Sequence, residues 1–123
     1  MLFRSAGSNQ EFDPVASEKV FAASVDKLIE RGSIVAPNLV KIDVDGNEIA
    51  ILKGMRQLLR SEQRPRAVQV ELNVGEQESI IEALADAGYE LVDRHLTLAG
   101  KNALATGSAL DQIAHNAVFK PVS

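Results

Sequence analysis

Cysteine is absent from this sequence, which removes disulfide frameworks, thiolate metal sites and thiol nucleophiles together. The same absence is compatible with a reducing compartment. Also missing is any Lys/Arg-rich run: the formal charge of −4 is mild, so the electrostatic footprint of a nucleic-acid or anionic-membrane partner is lacking. No apolar run approaches the roughly 18 residues that a membrane helix needs, and Met1 to Ser5 carry no charged segment followed by an apolar one. These features read as a soluble, cytoplasmic chain with neither nucleic acid nor membrane as partner. Internal repeats and low-complexity segments are lacking as well. What remains is 123 residues, enough for one domain with a core of its own.

Residues 1–18 hold Gly7, Ser8, Asn9, Glu11, Asp13 and Pro14, turn formers without a periodic apolar partner. They are expected to form a surface arm, which Phe3, Phe12 and Val15 could anchor, ahead of a single domain over 19–123. Val20 to Ala23 reads as a short strand. Ser24 then offers an N-cap for about two helical turns carrying Val25, Leu28 and Ile29, with Gly32 to end them. Pro37 releases the chain into a strand over Leu39 to Val44. From there Ile51, Leu52, Met55, Leu58 and Leu59 form one apolar stripe of a helix expected to run to about Ser61. A second strand spans Ala67 to Leu72, and a helix opened by Gly75 and Glu76 carries Ile80, Ile81, Leu84 and Ala87 to a closing Gly88. Tyr89 to Val92 is a third strand. The stretch from Thr97 to Gln112 shows no period and is expected as a loop or short helical turn, before a last strand at His115 to Lys120. Alternating strands and helices of this kind give an α/β fold on a mostly parallel sheet.

The richest chemistry lies where the strand Leu39 to Val44 ends. Three carboxylates, Asp43, Asp45 and Glu48, arrive there together with Gly46 and Asn47. Ligands in open α/β sheets sit beyond the carboxyl ends of the strands, so this turn and the neighbouring Glu71 to Asn73 fall on the expected rim. Asp43 has two readings, a ligand contact and a loop acid that accepts backbone N–H groups. Asp45 and Glu48, three apart at a helix start, suit a capping box better than a ligand pair. Gly46 is expected to permit a backbone conformation or a close approach that a side chain would block. A calcium loop fails on register: counted from Asp43, its sixth position is Glu48 rather than glycine and its twelfth is Gly54 rather than glutamate. His95 and His115 lack partners at metal-ligand spacing, and Arg64 with Arg66 reads as a solvated loop pair. No metal site is expected.

Val40-Lys41-Ile42-Asp43-Val44-Asp45-Gly46, followed by Glu48, Leu52, Lys53 and Gly54, resembles the Lys-Ile-Asp-Val-Glu-Gly signature of the FkbM-type methyltransferases, a branch of the S-adenosylmethionine-dependent class I enzymes. Upstream, Ser24-Val25-Asp26-Lys27-Leu28 is similar to the family's Thr-Leu-Asp-x-Leu element. Downstream, Val70-Glu71, Gly88-Tyr89 and Asn116-Ala117-Val118-Phe119 fall where the family has its later strands. The resemblance spans roughly 20–120. Asp45 departs from the signature, standing where the family has Glu, one methylene longer.

The resemblance implies a partial class I, Rossmann-like methyltransferase sheet: strands four to seven of seven, the last antiparallel, with helices on the faces. The glycine-rich loop that follows the family's first strand and cradles the cofactor has no counterpart in this sequence, so the chain reads as the C-terminal half of such an enzyme, truncated. By resemblance the cofactor is S-adenosylmethionine and the acceptor a hydroxyl of a small molecule, a sugar or secondary metabolite. Asp43 and Glu71 are the implied catalytic candidates, Asp43 and Gly46 the cofactor contacts, and Asp45, Glu48 and Asn73 the substrate contacts. An alternative of another class is a non-catalytic α/β module that pairs through the sheet edge left open by the missing first strand, as a homodimer or with a complementing N-terminal half.

Overall fold

The computed structural model describes residues 1–4, 24–44 and 46–122. Its elements are β1 (Leu2–Arg4), α1 (Val25–Glu30), β2 (Leu39–Asp43), α2 (Glu48–Gly54), α3 (Arg56–Arg60), β3 (Ala67–Leu72), α4 (Gln77–Asp86), β4 (Tyr89–His95), α5 (Leu98–Ala105), a 3-10 turn (Leu110–Gln112) and β5 (His115–Pro121). The strands form one sheet in the order β1-β2-β3-β5-β4. β1, β2 and β3 pair in parallel, while β5 lies antiparallel between β3 and β4 and so runs against the other strands. The α/β class, the mostly parallel sheet and the reversed last strand follow the pattern of a partial methyltransferase sheet.

Alternation along the strands decides which face packs. In β2, Val40 and Ile42 are buried between exposed Leu39 and Lys41; in β3, Val68, Val70 and Leu72 are buried between half-buried Ala67, Gln69 and Glu71. The buried set joins Phe3, Ala117 and Phe119 from β1 and β5 with Val25, Ile51, Leu52, Leu58, Leu59, Ile80 and Leu84 from α1 to α4, and Met55 from the α2–α3 junction, in one core. With roughly 1.5–3 kcal/mol gained per fully buried large aliphatic side chain, this face holds the sheet together. Tyr89 closes the far end, 1 % exposed, its hydroxyl donating to Pro65 O at 2.6 Å. Burial pushes its phenol up to about 12 against the opposing pull of Arg64.

Several elements depart from the sequence reading. Leu2–Arg4 is a strand rather than part of a surface arm: Phe3 is 3 % exposed and pairs with Ile42, and Lys41 N–H donates to Met1 O at 2.7 Å. The edge of β2 expected to be open is therefore covered over these residues. The remainder of the expected arm, its anchors Phe12 and Val15, and the strand expected at Val20 to Ala23 lie outside the described residues. The helix expected to run to Ser61 is two helices, broken at Met55 (φ −118°, ψ 20°). The reason is a long-range contact: Asp26 on α1 accepts from Gln57 N–H at 2.8 Å and Leu58 N–H at 2.9 Å, giving the second segment its own N-terminal acceptor. The expected apolar stripe is nonetheless buried throughout. β4 runs three residues past Val92, and the stretch read as loop or short turn holds α5, capped by Thr97, whose hydroxyl accepts from Gly100 N–H at 3.1 Å. Gly100 is the buried residue of α5, so no apolar period marks that helix in the sequence.

Candidate active-site rim

The C-terminal ends of β2 and β3, the end of β4 and the start of β5 meet on one side of the sheet. Lys41 pairs with Gln69 and Ile42 with Val70, so the next pair in this register is Asp43 with Glu71. Glu71 pairs in turn with Asn116, and Asn116 with His95. Side chains directly across neighbouring strands share a face. Asp43, Glu71, Asn116 and His95 therefore form a polar row across the sheet, on the face opposite the apolar core. Asp43 and Glu71, the two implied catalytic candidates, are brought together; Asn116 and His95 complete a row that only the strand order reveals. Asp43 is half-buried, and no hydrogen bond to its carboxylate occurs among the described residues, so the reading of it as a turn-fixing loop acid finds no contact there. His95 is tied to Asp93 at 3.4 Å, both largely exposed.

The turn after β2 separates into two kinds of residue. Gly46 has φ +91°, a left-handed conformation that a Cβ would strain, and nothing among the described residues stands within 4 Å of where that Cβ would be. Its freedom thus serves the turn. Asp45 lies outside the described residues. Glu48 behaves otherwise. The capping box expected of it is out of register, because α2 begins at Glu48 with Asn47 as its N-cap, and Asn47 makes no side-chain capping bond. Instead Glu48 is 1 % exposed, and its Oε1 accepts from Asn73 Nδ2 at 3.1 Å and Gly46 N–H at 3.4 Å. Glu48 and Asn73, both expected as substrate contacts, are thus brought together, but as partners of each other.

Burial is the main cause that raises the Glu48 pKa above 4.5; the N–H groups of Glu48 and Gly46 pull it back, and the neighbouring Glu76 carboxylate pushes it further up. Glu76 Oε2 is buried without a hydrogen-bond donor among the described residues. The Glu76 carboxylate thus stands near enough to Glu48 to oppose a charge on it, on top of the burial that dominates. No signal in the sequence marks this pair, since Glu76 reads as one more acid at a helix start.

The model of the Methyltransferase FkbM domain matches residues 3–91. The chain belongs to the FkbM methyltransferase domain family. The match starts at β1, upstream of the motifs from Ser24 onward, so it is not confined to a C-terminal half. A relative, the hexuronic acid methyltransferase AglP of Haloferax volcanii, is 37 % identical over 57 residues. That alignment covers 46 % of this chain and 24 % of AglP, so the chain spans about a quarter of the curated relative it matches. No solved structure matches the chain significantly.

The FkbM resemblance can now be divided by role. Asp26 of the upstream element is spent on the N-terminus of α3, as described above, while Ser24 caps its own helix, accepting from Lys27 N–H at 3.2 Å. A Cβ on Gly54 would stand 3.1 Å from Ser24 Cβ and 3.5 Å from Ser24 Cα, so glycine there lets α2 end against the start of α1. Asp43 and Gly46, by contrast, face outward.

For the cofactor that FkbM membership implies in general, S-adenosylmethionine, the described residues offer a carboxylate and an unobstructed glycine turn on one side of a rim. They contain no strand, glycine-rich turn and helix in succession among β2 to β5, so they fit one wall of such a site and not its cradle. No group of three or more His, Cys, Asp or Glu able to hold a metal ion occurs among the described residues. No helix among them is long and apolar enough to cross a membrane.

Proposed function

We propose that this FkbM-family chain serves an S-adenosylmethionine-dependent O-methyltransferase acting on a hydroxyl of a sugar-like small molecule. The observation that supports this most is the row Asp43, Glu71 and Asn116 at the carboxyl ends of the strands, with Asp43 left without an internal partner among the described residues. The name of the relative, a hexuronic acid methyltransferase, directs the acceptor toward sugars. In this reading the cofactor, when bound, supplies the electrophilic methyl group. Asp43 accepts the hydroxyl proton at its carboxylate, while the Asn116 amide donates to the acceptor oxygen and Glu71 accepts from a neighbouring hydroxyl of the same sugar; a positioned general base of this kind contributes about 10²–10⁴-fold. The buried Glu48 and the half-buried Asn73 hold the turn that carries Asp43 and touch no acceptor.

The rest of the cofactor cradle comes, on this proposal, from a complementing N-terminal half. Calorimetric titration with S-adenosylhomocysteine tests the reading: heat from the chain, alone or with such a half, supports it. No heat at millimolar ligand in either case sinks it.

A second reading, a non-catalytic module that pairs with itself or a partner, rests on the outward sheet face. Leu39 there is 56 % exposed, and Leu2 on the edge strand 47 %. Sheets of parallel strands are ordinarily covered on both faces. Light scattering that finds a monomer without ligand or partner counts against this reading.

A further inference from the structure

On the core side of the sheet edge, a groove of about 420 Å³ lies between α4, β4 and the 3-10 turn. Glu78 and Glu82 of α4 and Asp111 of the turn line it with carboxylates, and Arg94 of β4 lines it with a guanidinium. Opposite charges so placed ordinarily pair, yet no carboxylate stands at ion-pair distance from Arg94 among the described residues. The guanidinium is turned to an imidazole instead: Arg94 Nη1 lies 2.7 Å from His115 Nε2, and His115 Nδ1 lies 2.7 Å from Ile113 O. A carbonyl only accepts, so Nδ1 carries the proton, and Nε2 of the neutral ring accepts from the guanidinium. The ring itself is fixed, because His115 is 4 % exposed and the 6 % exposed Gln77 donates from Nε2 to the same Ile113 O at 3.1 Å.

We infer that His115 and Arg94 form a proton-operated latch: with the ring neutral, Arg94 is held on His115 and the groove is open, and with the ring protonated, Arg94 crosses to the carboxylates and closes it. A second proton makes the imidazole a donor at both nitrogens. Two cations that have only N–H groups to offer each other do not stay 2.7 Å apart. Nδ1 keeps its acceptor, Ile113 O, in either state, so the ring stays and the guanidinium moves. Glu78, Glu82 and Asp111 then accept from it, and the new N–H at Nε2 turns to water entering the space that Arg94 leaves. The other charges nearby face elsewhere. Leu72, the partner of His115 on β3, is apolar; Glu71 of β3 and His95 and Asp93 of β4 lie on the outward face, and Glu76, next to Gln77, is turned to Glu48. Histidine is the side chain that ordinarily changes charge between about pH 5 and pH 8, so the latch works in that range. It does not depend on the methyltransferase reading.

The test is a chemical-shift titration of the full chain from about pH 8 to about pH 5, following the His115 ring, Arg94 Nε, the Gln77 side-chain amide and the carboxyl carbons of Glu78, Glu82 and Asp111. The latch predicts one step with a common midpoint at His115, at Arg94 and at one or more of the three carboxyls. The Gln77 amide should stay in place, which separates movement of Arg94 from melting of the 3-10 turn. His115→Gln keeps a carbonyl for Arg94 and an amide for Ile113 O but takes up no proton, so the Arg94 step should be lost in that variant. A His115 step without an Arg94 step, an Arg94 step that survives His115→Gln, no step at either residue, or unfolding of the chain before His115 titrates would each overturn the latch. The titration of the unmodified protein decides even if His115→Gln fails to fold.

Discussion

Asp26 and Asp43 both belong to stretches that resemble the FkbM family, and both precede a helix by a few positions in sequence or space, yet the fold uses them in opposite ways. Asp26 is consumed internally, each carboxylate oxygen accepting one N–H at the start of α3. Asp43 ends β2 facing away from the core, with no hydrogen bond to its carboxylate among the described residues. The difference teaches that a family signature mixes two kinds of residue, and that hydrogen-bond satisfaction separates them. A polar group whose partners are all internal is explained by folding. One left facing outward at the strand ends asks for a ligand.

The sharpest way to break the comparison is at the inward region. Gly54→Val forces branched atoms against Ser24, which cannot yield easily because it caps α1; overpacking of this kind in a helix junction should cost about 3 kcal/mol, read as a lowered urea midpoint. Asp26→Ala leaves two N–H groups of α3 without their acceptor and should cost about 2 kcal/mol in the same measurement, with Asp26→Asn milder. A cost near zero for either would return these residues to the list of functional candidates.

Glu48 sits between the two regions and gives a pH signature. Its folded pKa is raised above 4.5, mainly by burial, so the folded chain keeps the proton to higher pH than the unfolded chain does. The stability this group contributes is therefore complete below the unfolded value and is lost as pH rises through the folded one. Glu48→Gln holds the protonated shape at every pH: its oxygen still accepts from Asn73 and Gly46, and its amide donates to Glu76. Unfolding midpoints should shift in favour of the variant on going from about pH 4 to about pH 8. A difference that stays flat over that range would show that Glu48 is charged in the fold.

Much of this arrangement was legible in the sequence, for reasons that can be named. β2, β3, α1 and α4 carry clean periods of two or 3.6, and Gly88 ends α4 with φ +86° as a C′ glycine should. The rim acids Asp43 and Glu71 were found because strand ends are where α/β chemistry concentrates. What escaped notice depended on distant partners. The break at Met55 is imposed by Asp26, 31 positions before Gln57. β1 has three residues, too few for a period, and exists through its pairing with β2. The burial of Glu48 is made tolerable by the amide of Asn73, 25 positions away, and by the N–H of Gly46. The reach of Arg94 to His115 follows from β4 and β5 pairing across a register shift between Leu91 and Asp93.

The smallest expected effect is also the most telling. Asp43→Ala, set beside Asp26→Ala in one urea-unfolding experiment, tests directly whether the two signature acids divide as described. Asp43→Ala should unfold within about 0.5 kcal/mol of the unmodified chain, as an outward substitution with no lost internal bond does, while Asp26→Ala falls well below it. Equal losses of stability in the two variants would contradict the account, because Asp43 would then be holding the fold rather than facing a ligand.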